Sequence, residues 1–442
     1  MDIVSVGPVG RLFRCPTPEG DIPVRVMLMS FPTRTHIYSL APVGWALRAA
    51  GHEVRYVGQR NPSEVDPFLQ TGLECMWVGG DFDIARHRQA GGSVDPGEDP
   101  FKLSETRSER LTDAYVKAAY DTTAEMIRYL NPDRMLNETL RLAREWGPDL
   151  IVWDPLIYTA PLVAKVVGAA QMRMLYAADQ NARVHFEYEK LKARRPDEEW
   201  SDPLREWMSE WLARHGHEFD EELRFGSASI DPGPECVQFP LDVNYLRTRF
   251  VPVNRPLPME RWVYEPPARP RVLLTLGVSN RQVHGEEQAS VSELLAGLGS
   301  LDVEVIATFS REQLPAGTRL PDNVRAEAFV PMNEVLASCS AIVHQGGGAT
   351  IGNAVVNGVP QLLVPGTIWS ERASAVAQAE RGFGLFMDLG DITAERIARD
   401  VTRLLEEESF RRIAAEVRDE MLAAPTFADV VPLLEAAAAA AR

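Results

Sequence analysis

The sequence predicts an α/β protein of two doubly wound, Rossmann-like domains that face a central cleft. Three observations predict it. Short apolar runs alternate with helix-patterned segments in two successive sets. A proline-rich stretch of little periodicity, from Gly226 to Arg271, separates the sets. At 442 residues the chain is also too long for one ordinary core.

The first set opens with a strand over Val24–Ser30, a helix over Leu40–Ala50 closed by Gly51, and a strand over His52–Val57. Residues 80–110 are polar and rich in Gly and Pro, which predicts a long loop. Helices are expected over 111–130 and 133–146, strands over Leu150–Trp153 and Met172–Tyr176, and a helical stretch over Glu187–Leu223. The second set places strands at Arg271–Leu276, Asp302–Thr308, Val324–Phe329, Ala341–His344 and Gln361–Val364, and a helical tail from Thr393 to Arg442. The expected organisation is therefore an extension (1–23), an N-terminal domain (24–240), a linker (241–270), a C-terminal domain (271–425) and a last helix (426–442).

Composition narrows the function. The chain carries 46 basic and 63 acidic residues, a net charge of −17, without a basic stripe. That argues against nucleic acid as a partner, and it leaves any anionic ligand to be held by local N–H groups and His. Four scattered cysteines (Cys15, Cys75, Cys236, Cys339) form no metal-ligand spacing and fit a reducing cytoplasm. The apolar run Leu150–Ala170 is broken by Asp154, Pro155, Pro161 and Lys165, so a buried strand and helix are expected there and no membrane span.

Chemistry concentrates just beyond strand ends, where sheets of this kind bind ligands. In Ala341-Ile342-Val343-His344-Gln345-Gly346-Gly347-Gly348-Ala349-Thr350 an apolar run breaks into three glycines and a threonine. The following residues, Ile351 to Gly358, read as a short helix closed by Asn-Gly. Such a turn presents free backbone N–H groups to a phosphate, and His344 is read as an added donor. A dinucleotide fingerprint fits less well: Ile351 stands where its third Gly belongs, and the next strand ends in Gly366 and Thr367 rather than in an acid.

His36, in a loop after the first strand, is the candidate general base, with a capping or surface histidine as the plain alternative. Asp154, directly after a strand, is its candidate partner; Asp179 is a weaker one, and a helix cap is the plain alternative for Asp154. In the second set, Gly277 and Ser279 end a strand with small residues that let a ligand approach the backbone. Phe329 is placed to stack on a base beside the Val330 backbone, or else to serve as core. Ser370 and Glu371 follow the strand at 361–364, either facing a sugar or forming the cap and first turn of a helix.

Together these residues resemble the GT-B glycosyltransferases of natural-product pathways, and within them the desosaminyl- and forosaminyltransferase-like enzymes that attach deoxyaminosugars to macrolides and other polyketides. His344-Gln345-Gly346-Gly347-Gly348-Ala349-Thr350 with Asn357-Gly358-Val359-Pro360-Gln361 is similar to the family's H-H-G-G-x-G-T…H-G-V-P-Q signature. Thr35-His36 and the segment Trp45–Val54 resemble its N-terminal region. The resemblance implies an inverting, metal-independent, cofactor-free transfer from a TDP-deoxyaminosugar to a polyketide or macrolide aglycone. It implies His36 as general base with Asp154, and His344, Gly347, Gly348, Ala349 and Thr350 around the diphosphate. Gly277, Ser279, Phe329 and Val330 are expected at the nucleotide and Ser370 and Glu371 at the sugar. An auxiliary protein like a cytochrome P450 without its haem ligand is a further expectation, as is a last helix that crosses back to the N-terminal domain. A homodimer is left open.

Three departures stand out. Gln345 replaces the second His, Gly348-Ala349 reverses the usual order, and the sugar-contacting D-Q-x-x-N-A reads Ser370-Glu371-Arg372-Ala373-Ser374-Ala375. The lost Asp fits a sugar lacking the hydroxyls it would hold, such as forosamine, and Glu371 is suited to pair with a protonated amino group. The alternatives are a nucleotide-sugar 2-epimerase on the same architecture and a non-catalytic partner subunit.

Overall fold

The computed structural model describes residues 23–62, 65–82, 105–277, 287–309, 314, 319–366 and 369–442. Nearly all of the extension, most of the loop at 80–110, and Ser279 lie outside the described residues.

The first sheet has seven parallel strands: β1 (Arg25–Met29), β2 (Glu53–Arg60), β3 (Glu74–Asp81), β4 (Leu150–Trp153), β5 (Ala170–Met174), β6 (Ser229–Asp231) and β7 (Tyr245–Arg247). Their order is β3-β2-β1-β4-β5-β6-β7. Its helices are α1 (Arg34–Ala49), α2 (Val65–Gln70), α3 (Asp113–Leu130), α4 (Asp133–Trp146), α5 (Thr159–Val167), α6 (Gln180–Arg194), α7 (Pro203–Ala213) and α8 (Glu222–Phe225). The central strands read as unbroken apolar runs because both faces are covered. Along β1, Met27 and Met29 enter a cluster with Ile127, Leu136 and Leu162, while Val26 and Leu28 enter another with Ile37, Leu40 and Leu434.

The second sheet has six parallel strands: β8 (Arg271–Thr275), β9 (Glu304–Ala307), β10 (Val324–Ala326), β11 (Cys339–His344), β12 (Gln361–Leu363) and β13 (Gly384–Phe386), ordered β10-β9-β8-β11-β12-β13. It carries α9 (Val291–Gly299), α10 (Met332–Leu336), α11 (Gly348–Val356), α12 (Glu371–Arg381), α13 (Ala394–Glu406) and α14 (Glu408–Ala423). The same alternation sorts its core: Val272 and Leu274 face one side, Leu273 the other.

The strand order reverses between β1 and β4 in one sheet and between β8 and β11 in the other, which creates the crevices where such sheets bind ligands. Residues leaving β1 and β4 therefore face one crevice, and residues leaving β8 and β11 face the other.

The structure corrects two expectations. His36 stands not in a loop but in the first turn of α1, which begins at Arg34 and carries Pro42 in its interior. A proline suits the first turn of a helix, and that signal hides the turns before it. The stretch 241–270 is not wholly a linker, since β7 lies within it and pairs in parallel with β6. After the short break at Ala424 and Pro425, α15 (Phe427–Ala441) starts with a capping box of Thr426 and Asp429. It packs on α1, β4 and β5, burying Phe427, Val430, Val431 and Leu434 in the core of the first sheet. Among the described residues no single helix is long and apolar enough to cross a membrane. The apolar run Leu150–Ala170 folds as β4, α5 and the start of β5.

Candidate active site

His36 and Asp154 leave adjacent strands at the first crevice, and the pairing of Met29 with Trp153 brings them level. His36 Nδ1 lies 2.5 Å from Asp154 Oδ2, and the carboxylate is fully buried. Its second oxygen accepts the Leu156 N–H at 2.9 Å, so the strand-end turn fixes its direction. A carboxylate only accepts hydrogen bonds, so Nδ1 carries the imidazole proton and Nε2 keeps a free lone pair. The ring packs edge-on to Phe31 at 5.3 Å and against Tyr176 at 4.1 Å between centroids. Strand β5 ends at Met174, two residues earlier than the sequence suggests, which leaves Tyr176 beyond the sheet beside His36.

Asp179 has another task. It caps α6 through the Ala182 N–H at 3.2 Å, pairs with the buried Arg173 guanidinium, and accepts the Tyr245 hydroxyl at 3.2 Å. That ion pair holds the loop after β5.

The second crevice collects the glycine loop. Gly347 precedes α11, and Gly348, Ala349 and Thr350 form its first turn, whose N–H groups lack helical partners. Gly346 adopts φ 96°, a left-handed conformation that favours glycine, and a side chain there would press on Glu371.

His344 departs from its expected role. It is fully buried, Nδ1 accepts the Gly346 N–H at 3.0 Å, and Nε2 therefore donates to Gln361 Oε1 at 2.8 Å. With both nitrogens engaged it has no donor left for a phosphate. Burial pushes its pKa down to about 4, so it stays neutral and braces the loop. The next residue, Gln345, is also buried, but its side chain turns toward Gly277 and the start of α11. Among the described residues its buried Oε1 has no hydrogen-bond partner, and its amide crowds Gly277 so closely that a Cβ there would overlap it. Gly277, at φ 66°, needs glycine for its backbone as well. The signal for Gln345 was its place as the residue that differs from the family pattern.

Phe329 is half-buried with the Arg255 guanidinium 4.5 Å over its ring, a cation–π contact that covers one face. The Val330 side chain is core, packed with Val263, Leu273 and Ile306, so only its backbone is available to a ligand. Ser370 is buried at the start of α12 and its hydroxyl makes no cap bond. Glu371 is 7 % exposed, and its carboxylate accepts the Trp369 N–H at 2.8 Å. Among the described residues no cation pairs with it, and burial pushes its pKa up to about 7. The next residue, Arg372, reaches across the cleft to Thr106 Oγ1 at 2.5 Å while paired with Asp388 at 3.0 Å.

A histidine held by a carboxylate thus lies on one side of the cleft, and a glycine loop with a buried acid on the other. Models of the N-terminal and C-terminal domains of "Erythromycin biosynthesis protein CIII-like" proteins match residues 45–277 and 292–437. The chain belongs to this EryCIII-like family. The EryCIII-like chain is 39 % identical to the aclacinomycin-T 2-deoxy-L-fucose transferase of Streptomyces galilaeus, over 93 % of this chain and 96 % of the relative. It is equally 39 % identical to the tylactone mycaminosyltransferase of Streptomyces fradiae, over 95 % and 93 %. Among solved structures, glycosyltransferase VinC in complex with dTDP superposes with a TM-score of 0.83 at 35 % identity, covering 94 % of this chain and 100 % of VinC. The spinosyn forosaminyltransferase SpnP gives 0.78 at 36 %, covering 94 % and 99 %. SpnP is thus a relative and not this protein. This EryCIII-like protein is a glycosyltransferase of GT-B architecture.

Proposed function

We propose that this glycosyltransferase moves a deoxyaminosugar from a TDP-sugar to a hydroxyl group of a polyketide or macrolide aglycone, inverting the anomeric carbon. The observation that carries the proposal is the buried His36–Asp154 pair, held across the cleft from the glycine loop. His36 Nε2 takes the proton of the acceptor hydroxyl, and Asp154 stabilises the imidazolium that forms. The acceptor oxygen bonds to the anomeric carbon as the carbon–oxygen bond to the diphosphate breaks. TDP leaves with the electron pair. Its charge is met by the N–H groups of Gly348, Ala349 and Thr350 and by the Gln345 amide. Attack from one domain and departure toward the other put the two oxygens on opposite faces of the sugar, which is inversion. No metal or cofactor enters this sequence of events.

The Phe329 ring and Val330 backbone are the proposed platform for thymine, which agrees with the dTDP bound by VinC. The named relatives include a 2-deoxyfucosyl and a mycaminosyl transferase, so the amine is argued from Glu371. A buried carboxyl with no cation beside it is costly unless its ligand brings one. The ammonium of an aminosugar such as forosamine supplies it, and Ser370 has no carboxylate to be left unpaired by a missing hydroxyl. The epimerase alternative draws no support from these relatives, which are transferases by name. An auxiliary P450-like protein, a homodimer and a cytoplasmic site of action are finer parts of the same proposal.

Product mass spectrometry across matched TDP-sugars and several aglycones, with and without an auxiliary protein, tests it. Wild type is expected to prefer amino donors. Glu371→Gln should lose about 10–100-fold on them, the worth of one charge-assisted hydrogen bond, with little change on neutral donors. Equal turnover of TDP-glucose and TDP-aminosugars by wild type would end the aminosugar reading.

A further inference from the structure

Helix α11 begins with a glycine that helix formation does not ask for. Gly348 is absent from the glycines with positive φ, and alanine is the better helix former at its position. Its neighbour Ala349 carries a side chain in the same turn. Space explains the glycine. A Cβ on Gly348 would overlap the carbonyl oxygen of Tyr176 and stand 2.9 Å from the Ala177 Cβ. That carbonyl is backbone of the N-terminal domain, which no rotamer change moves aside. One turn further along the same helix face, a Cβ on Gly352 would meet the Phe250 ring at 2.6 Å, in the segment that leaves β7. This face of α11 is bare because the N-terminal domain and the connector sit on it. The reversed order Gly348-Ala349 thereby acquires a reason.

Tyr176 gives the contact a consequence. Its backbone touches the first turn of α11, and its ring lies 4.1 Å from the His36 imidazole at an angle of 50°. One residue joins the loop that holds the diphosphate to the base that takes the proton. We infer that Gly348 and Tyr176 are positioning residues. Seating of α11 on the Tyr176 backbone sets the Tyr176 ring against His36, so the base is aligned only when the donor-bearing helix is docked. The inference rests on the reading of His36 as base and of the glycine loop as donor site.

The test compares wild type with Gly348→Ala, Tyr176→Ala, Tyr176→Phe and the Gly348→Ala/Tyr176→Ala double variant. The readouts are kcat, KM for the acceptor, TDP affinity by calorimetry and the melting curve. Gly348→Ala should lower kcat about 10–100-fold, as a small misplacement of reacting groups does. TDP affinity should fall less than kcat, since only one of the diphosphate N–H groups is displaced, and a cooperative melting curve reports that the variant is folded. Tyr176→Ala should show the same loss in kcat with KM for the acceptor little changed, since the His36 ring loses the neighbour that orients it. Tyr176→Phe should recover most of that rate. The double variant should be no slower than the worse single one. Wild-type kcat in Gly348→Ala, or fully additive losses in the double variant, would overturn the coupling. His36→Ala separates the two readings: transfer surviving there defeats the base itself, whereas its loss beside a fully active Gly348→Ala defeats only the coupling.

Discussion

In the folded chain Glu371 titrates near 7 because burial disfavours its charge, whereas an unfolded glutamate titrates near 4.5. Between those values the native state holds a proton that the unfolded state has lost. The stability tied to this group is therefore greatest below pH 4.5 and falls as pH rises to 7. Above 7 the cost is about 3 kcal/mol. Glu371→Gln should melt higher than wild type at pH 8 and alike at pH 4.5, by calorimetry without ligand. No gain at pH 8 would mean that the carboxylate is already compensated. At this scale the sequence made His36 and Asp154 legible, because each follows a strand on the side where such sheets bind ligands. It did not tell His344 from Gln345. Successive residues at a strand end point in opposite directions, and only the fold shows that His344 turns inward to Gln361.

At the scale of elements, the long buried runs of β1, β4, β8 and β11 were legible because strands covered on both faces leave unbroken apolar segments. Strands β6 and β7, three residues each among prolines, carry no such signal and exist by pairing with β5 and with each other. The start of α1 was hidden by Pro42, and the Ala-rich tail carries little periodicity. That tail nonetheless buries Leu434 completely among Val26, Leu28, Val152 and Met174. Leu434→Ala should destabilise the protein by about 2–5 kcal/mol, as a buried leucine truncation does. Hydrogen exchange should then rise first in β1, β4 and β5, although the substitution lies at the far end of the chain. A loss confined to the C-terminal domain would contradict this packing.

Across the whole molecule, the contacts that tie the domains together include Gly348 on Tyr176, Arg372 on Thr106, Trp369 against the N-terminal core, and Val237 among Ile351, Leu363 and Phe383. Arg372 stands next to Glu371, so the helix that carries the buried acid also grips the N-terminal domain. Arg372→Ala should loosen the contact between the domains, seen as a larger radius of gyration by X-ray scattering and a raised KM for the aglycone. An unchanged radius and KM would make this contact incidental. Two alternating sets of strands were enough to read two domains, but the contacts between them join residues such as Thr106 and Arg372 that lie 266 positions apart. No local pattern encodes such a pair.

The central claim is that His36, held by Asp154, removes the acceptor proton. The direct measurement is glycosyl transfer by His36→Ala with TDP binding followed in the same preparation. Loss of its proton acceptor should lower kcat by about 10²–10⁴ while TDP binds as tightly as to wild type. Transfer at close to the wild-type rate, with TDP bound, would contradict the account.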